Sequence, residues 1–275
     1  MPFVKLDTVA FHYMTAGQSV HPPLLLLHGF LGSHQDFAEI LPALSQHFYC
    51  IVPDLPGHGH TLTRGRGYNL LFMAQAISDF IDALGLQETY LLGYSMGGRI
   101  ALYLSCYFPG RYRRTILESA SPGLKTEDER WQRRSRDHEL GYQLRTGSLP
   151  DFLTQWYNNP LFASLKDHPD IYAAMYQRRL LNNTMNLADV LNSCSLGRQP
   201  SFWERLLELD ASALNLDKSI YLFVGELDTK FVAINQEMLA CCPKTASLKI
   251  FEACGHNIHL EASNAYAQAV IDYLS

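Results

Sequence analysis

Long apolar runs are missing from this 275-residue sequence. No stretch approaches the roughly 20 residues that span a bilayer, which argues against a membrane-spanning helix. A positive excess is missing as well, and a formal charge of -5 disfavours a general nucleic-acid surface. The opening Met1-Pro2-Phe3-Val4-Lys5 lacks the basic-then-apolar layout of a signal peptide, so a soluble, cytoplasmic protein is expected. The six cysteines, at 50, 106, 194, 241, 242 and 254, include no C-x-x-C pair and no His/Cys spacing that suggests zinc. They are expected to be reduced and mostly buried. Repeats and low-complexity linkers are absent too.

What is present is a 47% apolar chain, enough to bury a sizeable core in one large α/β domain. Short apolar runs alternate with helical patterns, which predicts a mostly parallel central sheet covered on both faces. Strands are expected at 23–28, 49–53, 89–93, 115–118, 219–224 and 247–251. Helical spacing runs over 71–84, stopping at Gly85, over 97–108, stopping before Pro109, and over 262–274. From about Pro122 to Asp210 no strand is expected. The simplest organisation is a core of residues 1–121 and 211–275 with a helical lid, 122–210, inserted between core strands.

Gly93-Tyr94-Ser95-Met96-Gly97 matches the G-x-S-x-G nucleophile elbow. The serine sits on a tight strand-to-helix turn, and the flanking glycines remove side chains that would collide there. The pattern alone is weak, but here it follows an apolar strand and opens a helix. A serine hydroxyl needs a neighbouring base, and this fold orders its triad serine, acid, histidine. Asp228, in Gly225-Glu226-Leu227-Asp228 after the strand at 219–224, is the expected acid; Glu226 competes with it. His256, after the last strand, is the expected base. His259 lies three residues on, and a metal reading of His256 with His259 lacks a third ligand nearby. The backbone N–H groups of Phe30, in His28-Gly29-Phe30, and of Met96 are the expected oxyanion hole. His28 is expected to bond locally, and Asp54 to Gly59 to form a structural turn near the cleft. Together these signals specify an α/β-hydrolase fold.

Arg99 lies four residues after Ser95 on the elbow helix, so one turn brings it back toward the site. Arginine grips carboxylates bidentately and stays charged, which suits a small polycarboxylate better than a lipid ester.

Several segments taken together resemble the MenH family of succinyl-hydroxycyclohexadiene carboxylate synthases, of menaquinone and phylloquinone biosynthesis. They are Leu27 to Ser33 (L-H-G-F-L-G-S), Gly93 to Arg99 (G-Y-S-M-G-G-R), Glu118 to Leu124 (E-S-A-S-P-G-L), Trp156 to Leu165 (W-Y-N-N-P-L-F-A-S-L) and Gly225 to Phe231 (G-E-L-D-T-K-F). The resemblance covers residues from about 24 to 262. It implies a carbon–oxygen lyase that removes pyruvate from an enolpyruvyl ring acid by triad-assisted proton abstraction, without metal or organic cofactor and without a required protein partner. It also implies that Arg99, Arg133 and Arg179 grip carboxylates, with Arg134 and Arg178 as the adjacent alternatives. Trp156, Phe162 and Tyr94 would line the ring pocket, lid–core packing being the other reading of Trp156 and Phe162. A serine esterase or thioesterase, a carbon–carbon bond hydrolase, and an idle binding protein on the same scaffold are the competing functions.

Overall fold

A computed structural model describes residues 2–65, 67–108, 110–212 and 219–275. Among the described residues nine strands form one sheet: β1 (Phe3–Lys5), β2 (Val9–Ala16), β3 (Pro23–Leu27), β4 (Tyr49–Pro53), β5 (Leu62–Thr63), β6 (Thr89–Tyr94), β7 (Tyr112–Glu118), β8 (Ile220–Gly225) and β9 (Ala246–Phe251). Their order is β1-β2-β4-β3-β6-β7-β8-β9, with β5 on β2. Every pair in the run from β4 through β3 to β9 is parallel, while β1, β2 and β5 form an antiparallel edge. The six expected strands are all present, within three residues at their ends. The antiparallel edge strands were not anticipated.

The parallel strands read as unbroken apolar runs because both faces are buried, and their parity sorts residues between two cores. Leu25, Leu27, Ile51, Leu91, Leu117 and Leu222 face one side, where helices Leu70–Ala83 and Met96–Tyr107 pack through Ile77, Phe80, Ile100 and Leu104. Leu24, Leu26, Val52, Leu92, Ile116 and Phe223 face the other, against helix Ser263–Leu274 and its Tyr266 and Val270.

Between β7 and β8 every described element is helical, from Glu127–Thr146 to Trp203–Ser212. The first of these helices starts on a full capping box, in which Thr126 and Glu129 satisfy each other's backbone N–H groups. These helices carry their own apolar cluster, including Leu144, Phe152, Leu153, Leu165, Met175 and Leu187, which closes on Leu31 and Leu260 of the sheet-bearing part. Among the described residues no helix is long and apolar enough to cross a membrane.

The turn after β4 is a hydrogen-bond hub. Asp54 accepts from His12 Nδ1 and His34 Nδ1, both at 2.8 Å, and from the backbone N–H groups of His34 (2.7 Å) and His60 (2.9 Å). A side chain at Gly59 would lie 2.3 Å from this carboxylate, which is why glycine stands there. His12, His34 and Asp54 are the one group among the described residues with donor atoms close enough to hold a metal. Each Asp54 oxygen, however, already accepts two N–H bonds.

His58, in the same turn, is buried beneath Phe30 and His28, and its Nε2 lacks a partner. Burial, reinforced by His28, pushes its pKa down to about 3. The unfolded chain therefore takes up this proton near pH 6.5, while the folded chain refuses it until about pH 3. The stabilising contribution is complete above pH 6.5 and declines as pH falls through that window. His58→Gln is expected to flatten the acid slope of unfolding free energy there by about one proton, or about 1.4 kcal/mol per pH unit. Urea titrations at several pH values read it; an unchanged slope would rule out a neutral buried His58.

Candidate active site

β6 runs into Ser95, whose φ of 50° and ψ of -106° lie outside the comfortable regions for a side-chain-bearing residue. The strain is over-determined by its surroundings. The Ser95 N–H donates to Glu118 O at 2.8 Å, and its carbonyl accepts Arg99 N–H at 3.1 Å. A side chain at Gly97 would meet Leu27 O at 2.1 Å, and one at Gly93 would meet Gly97 O at 2.5 Å. Both glycines therefore let the elbow helix press against the sheet.

Asp228 caps helix Thr229–Cys241 by accepting Phe231 N–H through Oδ1, at 3.3 Å. Its Oδ2 lies 2.6 Å from His256 Nδ1, and His256 Nε2 lies 3.2 Å from Ser95 Oγ. An ionised carboxylate can only accept, so Nδ1 carries the proton and Nε2 is left to accept from the serine hydroxyl. Glu261 holds the histidine loop by accepting the N–H groups of Gly255 (2.7 Å) and Asn257 (3.2 Å). Glu226 is exposed and accepts from Ala253 N–H instead, so it does not compete for His256. His259 turns to both oxygens of Glu118, at 2.8 and 2.9 Å.

A cavity of about 670 Å³ opens over Ser95 and His256. Phe30, Met96, Trp156 and Phe162 line it, as does Arg99. Phe30 packs on Trp156 at 5.2 Å between ring centroids, and Phe162 stands edge-on to His256 at 5.8 Å. His28 anchors the loop that carries Phe30: its Nδ1 donates to Gly29 O at 2.7 Å, and its Nε2 accepts Leu55 N–H at 2.9 Å. Arg99 donates to Cys194 O (2.9 Å) and Gln199 Oε1 (3.2 Å), both neutral. Burial, and then Arg133 nearby, lowers its pKa, with Cys194 and Asp137 acting against them, and among the described residues it has no carboxylate within salt-bridge distance. Arg133 also lines the cavity, its Nε bonded to both oxygens of Asp137 at 2.8 and 2.9 Å. Its neighbour Arg134 reaches Gly197 O and Glu127.

Two expected substrate contacts need correction. Arg179 does not line the cavity. Its two terminal nitrogens hold Asp36 bidentately at 2.6 and 2.8 Å, and its Nε donates to Tyr157 Oη at 3.2 Å, all buried. A guanidinium so engaged has no free edge for a ligand. Arg178, its alternative, does not line the cavity either. Tyr94 is likewise beneath the site. Strand parity places it with Leu92 in the core, where it meets His256 and His259 edge-on and supports Gly29. Other lining residues were missed, among them Arg136, Lys230 and Ser119. Arg136 follows Arg133 by one helical turn, and Lys230 stands in the quoted G-E-L-D-T-K-F segment, so both had a signal. Ser119 had none. It is fully buried with φ of 48°, and its Oγ lacks a partner.

This fold and site define the class, an enzyme of the α/β-hydrolase fold, whose family description matches residues 22–263. Within it, a putative 2-succinyl-6-hydroxy-2,4-cyclohexadiene-1-carboxylate synthase of Bacillus subtilis is 34% identical over 98% of this chain and 96% of its own. The synthase of that name from Yersinia pestis is 30% identical over 94% of this chain and 89% of its own. The solved structure of MenH from S. aureus superposes with a TM-score of 0.88, at 29% identity, covering 98% of both chains. The chain belongs to the MenH family.

Proposed function

We propose that this protein eliminates pyruvate from 2-succinyl-5-enolpyruvyl-6-hydroxy-3-cyclohexene-1-carboxylate. The product is 2-succinyl-6-hydroxy-2,4-cyclohexadiene-1-carboxylate, on the cytoplasmic route to menaquinone or phylloquinone, made without metal or organic cofactor. One observation carries the reading beyond family likeness: the hydrogen-bonded Ser95, His256 and Asp228 open into a cavity lined by the cations Arg99, Lys125, Arg133, Arg136 and Lys230 against the acids Glu129, Asp137 and Glu237, an excess of positive charge. Arg133 and Lys125 already pair with Asp137 and Glu237, but a lipid ester would leave Arg99, Arg136 and Lys230 without a carboxylate, whereas a ring acid with a succinyl arm supplies carboxylates for them.

In the proposed step, His256 Nε2 takes the Ser95 hydroxyl proton as Ser95 Oγ takes the ring proton next to the succinyl carbonyl. The electron pair moves onto that carbonyl as an enolate. The N–H groups of Phe30 and Met96 stabilise the oxygen. The pair then returns through the ring double bond and breaks the carbon–oxygen bond to the enolpyruvyl group. The enolpyruvyl group departs as the enolate, which takes up a proton at its methylene carbon and becomes pyruvate. Asp228 stabilises the imidazolium that exists meanwhile. No acyl-enzyme forms. Residues 122–210 act as a lid over the core formed by 1–121 and 211–275.

The test is pyruvate release from that substrate, with the rate without enzyme subtracted and the diene absorbance followed in parallel. Release in step with absorbance supports the lyase. Release at the background rate from folded protein overturns it and leaves an esterase as the leading reading. Arg99→Ala is expected to lower kcat/KM for this substrate by about 10- to 100-fold, the loss of one charge-assisted contact. Hydrolysis of a small neutral ester should change only about twofold, since no carboxylate is read. Equal losses on the two would overturn carboxylate gripping by Arg99.

A further inference from the structure

The cationic lining divides into two places. Arg99 sits within the cavity, on the elbow helix one turn beyond Ser95. Arg136, on helix Glu127–Thr146, and Lys230, on the first turn of helix Thr229–Cys241, are exposed yet line the same cavity, and so mark its mouth. They come from two different elements, one from the helical insertion and one from the helix that Asp228 caps.

The acids that could neutralise them are committed elsewhere. Asp137 holds Arg133, and Asp228 holds His256. Glu129 closes its capping box, and Glu237 pairs with Lys125. Among the described residues neither Arg136 nor Lys230 has an acidic partner within salt-bridge distance, although they share one cavity with Arg133. Burial, followed by the charges of Arg133 and Arg136, lowers the Lys230 pKa, with only Asp228 acting against it. Like charges gathered without a counter-ion are what an anionic ligand would relieve.

We propose that Arg136 and Lys230 form a second carboxylate subsite, separate from Arg99, which takes the carboxylate at the end of the substrate's succinyl arm. This rests on the substrate class proposed above. With the reacting carbon at Ser95 and the succinyl carbonyl toward Phe30 and Met96, the flexible end of the arm can run to the mouth. One carboxylate has two oxygens, and two cations from different elements of one lining can each take one. The subsite thereby selects for the arm, while Arg99 selects for the acid on the ring.

Equilibrium binding tests this without turnover. The probes are 2-succinylbenzoate, a stable aromatic diacid of related shape, and its methyl ester at the arm carboxylate. Lys230→Gln and Arg136→Gln are each expected to weaken diacid binding by about tenfold, and the arm ester by less than about twofold. Lys230→Arg should keep most of the affinity, and the diacid's advantage should shrink at about 1 M salt because both cations are exposed. Variants that bind the diacid like wild type, that lose diacid and ester equally, or a wild type that does not bind the diacid, would each overturn the subsite. Lys230-dependent diacid binding in a protein that releases no pyruvate would leave the subsite standing and remove only the proposed reaction.

Discussion

Ser95→Ala is expected to lower enzyme-dependent pyruvate release by about 10²- to 10⁴-fold, the span of a lost positioned general base. His256→Ala should fall as far, because among the described residues Ser95 Oγ, at 3.2 Å, has that imidazole as its one basic partner. Asp228→Asn tests the chain more sharply. An amide that donates its N–H toward His256 Nδ1 favours the tautomer with the proton on Nε2, where it cannot accept from Ser95. The loss should approach that of the alanine variants although shape and burial are kept. Groups that act as a unit are not additive, so Ser95→Ala combined with His256→Ala should be no worse than either alone. Initial rates on folded variants, corrected for spontaneous elimination, give the result. Ser95→Ala within about threefold of wild type would contradict Ser95 as the base.

The hydrogen-bonded arrangement of Ser95, His256 and Asp228 was legible in the sequence because each of them stands in a short motif next to a strand. Gly93 to Gly97, Gly225 to Asp228 and Gly255-His256 all place their residues at the C-terminal ends of parallel strands. The sheet order then gathers those ends without further information. Arg179 shows the opposite case. As an arginine of the helical insertion it reads like Arg133, and only its partner separates them. That partner, Asp36, lies 143 positions away in a turn after β3, so no local pattern announces it. Tyr94 was within reach of sequence reasoning, since alternation along β6 puts it with Leu92 and not with the cavity. Lys230 stood in a recognised segment, but its direction depends on the helix beginning at Thr229, immediately after Asp228. Of the antiparallel edge, β1 and β5 are only three and two residues long, and β2, though eight residues long, mixes polar with apolar positions and carries no unbroken apolar run.

Asp36→Asn should destabilise the protein by about 3–5 kcal/mol, the usual cost of leaving one member of a buried ion pair without its partner. Asp36 is 1% exposed and Arg179 3% exposed, so water cannot replace the lost charge. Burial alone would raise the Asp36 pKa, but the charge and hydrogen bonds of Arg179 hold it below the usual carboxylate range. A depressed carboxylate contributes stability that is present above its ordinary pKa and is lost as pH falls through the folded value. Arg179→Met should cost a similar amount, since it leaves Asp36 as the unpaired charge. The double variant Asp36→Leu with Arg179→Met should cost clearly less than the two single changes added, because neither charge is then left behind. The pair also fastens the helical insertion beside the loop that carries Phe30, where Asn182 Nδ2 donates to Leu31 O at 2.9 Å. Urea unfolding midpoints and slopes for the wild type and the three variants supply the comparison. Additive losses, or an Asp36→Asn midpoint equal to wild type, would mean that Arg179 is not held by Asp36 and would return it to the set of candidate carboxylate ligands.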